Sequence, residues 1–164
     1  MATIFVGIGS NLGERMNHVQ TAVAHLHTDS DWTVIIVSPW YETAAITLSP
    51  SDPQSPYING VIALHTTLSP HIVLQRLHTI EAKMGRPLPR AKWSARTIDL
   101  DLLAYDHTIL ENPQLTLPHP ELAKRLFVLL PLRDIAPDWL HPTLHVTVSE
   151  LIEKAPAQAC LKLS

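Results

Sequence analysis

The sequence predicts an α+β fold: a ferredoxin-like β-α-β-β-α-β core, in which helices pack on an antiparallel sheet, extended towards the C-terminus by a hairpin and a helix. Three observations carry this. Four apolar, β-branched or aromatic runs have the length and composition of strands: TIFVGIG (3–9), WTVIIVSPWYET (32–43), SPYINGVIALHTT (55–67) and TIDLDLLAYD (97–106). Helical periodicity fills the interval after the first run and the interval after the third. At 164 residues, 46% of them hydrophobic and 16% charged, the chain suffices for one core of ordinary size, so one domain is expected over 1–164.

The elements follow in order. TIFVGIG is a compact apolar run ending in glycine, as a buried strand does. After the turn GSNLGER, Met16, Val19, Val23 and Leu26 fall at helical spacing and predict a helix over about 13–27. The runs at 32–43 and 55–67 flank a polar, proline-bearing connection and read as antiparallel strands joined by a long loop. Ser69-Pro70 supplies a cap and a first-turn proline for a second helix. Its stripe is Ile72, Val73, Leu77, Ile80 and Met84, and Gly85 is its stop. RPLPRAKWSA (86–95) is a second long loop before the fourth strand. Downstream, a short hairpin is expected after residue 106, a helix from near Pro120, and a small strand and helix over 143–154.

Composition narrows the function. A net charge of −3 offers no basic field for nucleic acid. The single cysteine, Cys160, excludes an intrachain disulfide and suits a reducing compartment. No basic segment precedes a long apolar one at the N-terminus, and no run approaches the roughly 20 apolar residues that span a bilayer. A soluble cytoplasmic protein without a membrane partner is expected, and a monomer.

The chemistry concentrates in TIDLDLLAYD. Alternate strand residues leave on one face, so Asp99 and Asp101 point together while Ile98, Leu100 and Leu102 point the other way. Two carboxylates at low dielectric repel unless one is protonated or a cation lies between them. Hard oxygen ligands suit Mg²⁺, which completes its octahedron with water and phosphate oxygens. The D-x-D pattern alone fits a solvated strand face better than a metal site. Arg86, Arg90, Lys92 and Arg96 stand just upstream, and guanidinium forks match phosphate. Together, metal ligands and cations favour phosphoryl chemistry over a solvated basic loop.

GSNLG resembles a phosphate-cradling turn but lacks both the G-x-G-x-x-G pattern and a Walker lysine, and Asn11 reads more simply as a helix cap. Tyr57 and Asn59 share a strand face across from WYET, where an aromatic beside an amide suits a flat heterocycle. LPHPELAKRLF adds His119, Arg125 and Phe127 in a turn leading into a helix. A ferredoxin-like nucleic-acid module is the rival reading, but its central strands would carry basic and aromatic residues where this chain has two acids. A Mg²⁺-dependent phosphohydrolase is the second rival, separable by whether turnover needs an acceptor.

Taken in order, GSNLG, YINGVIAL, IEAKMGR, WSARTIDLDLL, LPHPELAKRLFVLLPL and DIAPDW resemble the 6-hydroxymethyl-7,8-dihydropterin pyrophosphokinases of folate biosynthesis over residues 2–142. The resemblance implies transfer of the terminal pyrophosphoryl group of ATP to the pterin hydroxymethyl group. It implies two Mg²⁺ ions on Asp99 and Asp101, and phosphate contacts from Lys92 and Arg96, with Arg86 assisting. Leu74, His78, Glu81, Leu102, Thr116, His119 and Arg125 are then expected around ATP. Tyr57 and Phe127 are expected to sandwich the pterin, with Asn59, the backbone near Thr43, Ala44 and Ile46, and Trp93 completing its site. The chain departs from the commonest pattern at Leu88, where the family often has arginine, which makes Arg90 a candidate replacement. Ser94-Ala95 stands where G-P is usual, and Pro120 replaces an aromatic found in some members.

Overall fold

A computed structural model describes residues 1–44, 56–85 and 97–163. Among these residues eight strands and four α-helices follow in chain order: β1 (Ala2–Ser10), α1 (Arg15–Thr28), β2 (Trp32–Val37), β3 (Tyr41–Thr43), β4 (Tyr57–Thr66), α2 (Pro70–Lys83), β5 (Asp99–Tyr105), β6 (Leu110–Glu111), β7 (Thr116–Leu117), α3 (Leu126–Ile135), α4 (Val148–Lys154) and β8 (Cys160–Lys162). The main sheet runs β5-β1-β4-β3-β8, with β2 beside β3 along the same edge of β4, and all its pairings are antiparallel. Counting β2 and β3 as one broken strand gives the expected ferredoxin-like core.

That break has a local cause. The expected strand over 32–43 is interrupted at Ser38-Pro39-Trp40, where Pro39 has no N–H to give a ladder. Ser38 maintains contact instead: its N–H donates to the Val61 carbonyl at 2.9 Å, and its Oγ accepts from the Val61 N–H at 2.9 Å. The Trp40 ring then lies directly on Gly60, where an added Cβ would meet ring carbons at 2.5 and 2.6 Å.

Alternation along the strands sorts the side chains into two layers. Ile4, Val6, Ile8, Ile58, Ile62, Leu64, Leu100 and Leu102 meet Val19, Ala22 and Leu26 of α1 and Val73, Leu77 and Ile80 of α2. The predicted helical stripes are therefore the buried faces, except that Ile72 lies 39% exposed. Gly85 ends the second helix at φ +87 as its position predicts. On the opposite face, Phe5, Val61, Ala63, Leu103 and Ala104 pack under Leu122, Val128, Leu129, Leu132, Trp139, Val148 and Leu151. The C-terminal extension thus covers only part of that face. Beyond it, β1 carries Gly7 and Gly9, β4 carries Tyr57 and Asn59, and β5 carries Asp99 and Asp101.

Three expectations about element boundaries are corrected. Asn11 does not cap α1, whose preceding residue is Glu14. The helix expected from Pro120 begins as a single tight turn at Leu122–Lys124 and becomes α3 only at Leu126. No strand forms just after 143; Thr147 bridges Leu140, then caps α4 in a reciprocal pair with Glu150. A strand forms instead at 160–162 and pairs with β3. The hairpin after 106 is present as β6–β7. Among the described residues, no helix is long and apolar enough to cross a membrane.

The contact between Trp40 and Gly60 yields a prediction. Gly60→Ala forces the indole off the sheet and should cost about 1–3 kcal/mol in chemical denaturation. Wild-type stability in that variant would contradict the packing.

Candidate active site

The uncovered half of the sheet is the floor of a cavity of about 270 Å³ lined by Gly7, Gly9, Thr43, Ala44, Tyr57, Asn59, Asp99, Asp101, His119, Arg125 and Phe127, with Ile8, Gly60 and Val128. Register explains the gathering. Gly9 stands between Asn59 of β4 and Asp99 of β5, and Gly7 between Val61 and Asp101. Two glycines on one face of the central strand leave the floor low between the amide and the carboxylates. The fit is tight at Gly9, where a Cβ would lie 2.6 Å from Asn59 Oδ1.

Asn59 is buried and its Nδ2 donates to Thr43 Oγ1 at 3.1 Å, which fixes the amide and turns Oδ1 towards the space above Gly9. Thr43 is the register partner of Tyr57, and Tyr41 that of Asn59, so the sequence reading across from WYET holds. Phe127 contributes a second aromatic wall, with the Arg125 guanidinium 5.6 Å from its ring centroid.

A second cavity of about 250 Å³ is lined by Leu74 and His78 of α2, Leu100, Asp101 and Leu102 of β5, the hairpin residues Asn112 to Thr116, and His119-Pro120. Asn112 shapes that hairpin: its Oδ1 accepts the N–H groups of Gln114 and Leu115 at 3.0 and 2.9 Å. Asp101 and His119 line both cavities, which therefore meet at these two residues.

His119 is held from two sides. Its N–H donates to the Leu103 carbonyl at 2.8 Å, and its Nδ1 accepts from the Glu121 N–H at 3.1 Å. The neutral ring then carries its proton on Nε2, a donor. Burial, reinforced by the Arg125 charge, pushes its pKa below the usual histidine value of 6.5.

The structure gathers most of the residues singled out in the sequence. Thr43, Ala44, Tyr57, Asn59, Asp99, Arg125 and Phe127 line the first cavity, Leu74, His78, Leu102 and Thr116 the second, and Asp101 and His119 both. Glu81 lies apart from both linings. It is buried, 5% exposed, and its Oε2 accepts from the Leu100 N–H at 2.9 Å, gripping the backbone between the two aspartates from the helical layer. Arg86, Arg90, Lys92, Trp93, Arg96 and Ile46 lie outside the described residues. Sequence reasoning missed Gly7 and Gly9, although glycine at alternate positions of an apolar strand signals an open sheet face. It also missed the hairpin residues 112–115.

Among the described residues, no group of three His, Cys, Asp or Glu side chains is arranged to hold a metal. The donor set on offer is two carboxylates on one strand face, which matches a hard cation that takes its remaining oxygens from water and phosphate.

Fold and site together define a class: an α+β domain whose carboxylate-bearing sheet face joins two small-molecule cavities, as transfer of a phosphoryl-type group between two substrates requires. The chain matches the 7,8-dihydro-6-hydroxymethylpterin-pyrophosphokinase (HPPK) family over residues 5–137, and it belongs to that family. A Synechocystis relative named 2-amino-4-hydroxy-6-hydroxymethyldihydropteridine pyrophosphokinase is 42% identical over 154 residues, covering 94% of this chain and 76% of the relative. One of the same name from Haemophilus influenzae is 34% identical over 164 residues, covering 100% of this chain and 99% of its own. The fold is similar to that of wild-type Plasmodium falciparum HPPK-DHPS with pteroate, at TM-score 0.72 and 16% identity, over 93% of this chain and 42% of that one. The chain thus spans less than half the length of that solved structure.

The state of His119 yields a pH prediction. Below 6.5 the unfolded chain binds a proton that the folded ring resists, so the contribution of His119 to stability is constant well above that value and falls as pH drops through and below it. His119→Gln should flatten this fall in denaturation midpoints between pH 7.5 and 5 (roughly the histidine range), leaving the part due to buried His141, whose pKa is also lowered. An unchanged pH profile would contradict a neutral, buried His119.

Proposed function

We propose that the chain transfers the pyrophosphoryl group of ATP to the hydroxymethyl oxygen of 6-hydroxymethyl-7,8-dihydropterin, giving AMP and the pterin pyrophosphate, a step towards tetrahydrofolate. Family membership supports the reaction. The observation that supports its location is the meeting of two cavities at Asp101 and His119.

The first cavity suits the acceptor. Tyr57 and Phe127 offer apolar faces to a flat ring, and the Asn59 carbonyl oxygen, fixed by Thr43, accepts from a ring N–H. The second suits the nucleotide. Leu74, Leu102 and Leu115 give it apolar surface, and the Thr116 hydroxyl and His78 give it polar contacts. A triphosphate running from the second cavity to the first passes Asp101 and His119. There His119 donates Nε2–H to a phosphate oxygen, and Arg125 adds charge next to the acceptor.

Asp99 and Asp101 would hold Mg²⁺, two ions on this reading. When bound, magnesium neutralises triphosphate charge and stabilises the charge that develops on the departing AMP. Glu81 keeps the two aspartates in register by holding the amide between them. Arg86, Arg90, Lys92 and Arg96 supply further positive charge for the phosphates, and Trp93 and Ile46 complete the acceptor side. We assign the activity to one domain over 1–164, acting as a cytoplasmic monomer; the single cysteine is in keeping with a reducing compartment.

Product identity tests the reading. With ATP, Mg²⁺ and the pterin, the expected products are AMP and a pterin carrying two phosphates. Asp99→Asn and Asp101→Asn should each lower kcat/KM by more than about 100-fold, since loss of a mere supporting contact to a metal ligand already costs about 10–100-fold. Their melting temperatures should hold. ADP with a pterin monophosphate, or AMP and free pyrophosphate formed without any pterin, would contradict the proposal.

A further inference from the structure

The turn GSNLGER leads from the floor of the acceptor cavity to α1, and its last residue has a contact that the site as described does not use. Ser10 and Asn11 are buried, Gly13 takes the left-handed φ of +66, and the Arg15 N–H closes the turn on the Gly13 carbonyl at 3.0 Å. This delivers the Arg15 guanidinium, at the first residue of α1, to the place where β3 ends and β4 begins. One nitrogen, Nη1, makes both contacts: it donates to the Pro56 carbonyl at 2.6 Å and lies 3.2 Å from Glu42 Oε2.

These partners are informative by position. Glu42 immediately precedes Thr43 and Pro56 immediately precedes Tyr57, and Thr43 and Tyr57 are the register pair at the end of the β3–β4 ladder. That ladder is three residues long, short enough to fray at its end. Both members of the last pair line the acceptor cavity. Alternation puts Glu42 on the face opposite Thr43, so Arg15 grips the ladder from the helical side, clear of the cavity. An ion pair this exposed, with side chains 25% and 34% accessible, adds little to global stability. Its effect is on spacing.

We propose that Arg15 is a positioning residue for the acceptor: by tying Glu42 to the Pro56 carbonyl, it sets the separation of Thr43 and Tyr57 and so the fit of the flat heterocycle between them. The inference rests on the reading of this cavity as the pterin site. Steady-state kinetics of Arg15→Ala, Arg15→Lys and Glu42→Ala test it, together with hydrogen exchange of the 41–43 and 57–59 amides in the absence of substrate.

Arg15→Ala should raise the KM for the pterin on the order of tenfold, the scale of a small misplacement, with kcat and the KM for ATP unchanged. Arg15→Lys should recover part of that loss. Adding Glu42→Ala to Arg15→Ala should cost nothing more, because the two act through one contact, and exchange at 57–59 should quicken in Arg15→Ala. An unchanged pterin KM overturns the proposal, as does an equal rise in both KM values with a lowered melting temperature. If the wild-type protein shows no turnover with the pterin, the reading of the cavity fails. Exchange then decides alone: unaltered protection at 57–59 overturns the role of Arg15, and faster exchange sustains it for whichever acceptor the cavity holds.

Discussion

The site depends on one register: β1 lies antiparallel between β4 and β5 so that Gly9 stands between Asn59 and Asp99, and Gly7 beside Asp101. A one-residue slip of β1 would turn the Ile8 side chain onto the cavity floor, and a one-residue slip of β5 would turn the aspartates into the apolar layer beneath α1 and α2. The helical layer prevents this, because Ile4, Val6 and Ile8 with Leu100 and Leu102 fit it in only one phase. At Leu103 the ladder shifts: Phe5 pairs with Ala104 and Val6 with Leu102, so one β5 residue is left over. The bulge lets both Leu103 and Ala104 join the core under α3, while the aspartates stay on the open part of the same face.

Charge and shape then divide the work. β5 is an edge strand, not the central strand on which the sequence reading set the two acids, and its outer side is covered rather than left for pairing: Glu81 accepts the Leu100 N–H, and His119 donates to the Leu103 carbonyl. Both contacts stiffen the backbone that carries Asp99 and Asp101. The far side of the sheet is also tied down, through Tyr41 of β3, whose hydroxyl donates to Asp134 at 2.5 Å and whose pKa is pushed up to about 12 by burial and that carboxylate. Lys162 of β8 stands 3.6 Å from the same carboxylate, which links the C-terminal strand, α3 and the Asn59 side of the first cavity. A cavity whose walls are held from both edges needs little rearrangement to position a flat substrate, and positioning is most of what phosphoryl-type transfer asks of a protein.

Much of this was legible in the sequence because it depends on period. The two-residue period of DLDL fixed the common face of Asp99 and Asp101, the same rule paired Tyr57 with Asn59, and the helical stripes found the faces of α1 and α2. Other features follow from three-dimensional partners that no period encodes. Glu81 looks like any acid on a helix until Leu100 is found beside it. The break at Ser38-Pro39-Trp40 depends on Gly60, a strand away, leaving room for an indole. The strand at 160–162 has no apolar alternation and exists because β3 offers it an edge. Motif resemblance supplied what pattern did not: it grouped His78, Thr116 and His119, which the fold brings to the lining of one cavity.

If the glycine floor between Asn59 and the aspartates receives the acceptor, Gly9→Ala should close it. The added methyl would sit 2.6 Å from Asn59 Oδ1, so the amide has to leave its place. Calorimetric titration of that variant should show pterin affinity lowered by roughly 10- to 100-fold, the loss expected when a buried hydrogen-bonding group is displaced, with Mg²⁺-ATP binding close to wild type and stability lowered by no more than the disruption of one buried hydrogen bond costs, about 1–3 kcal/mol. Pterin affinity equal to that of the unmodified protein would contradict the account.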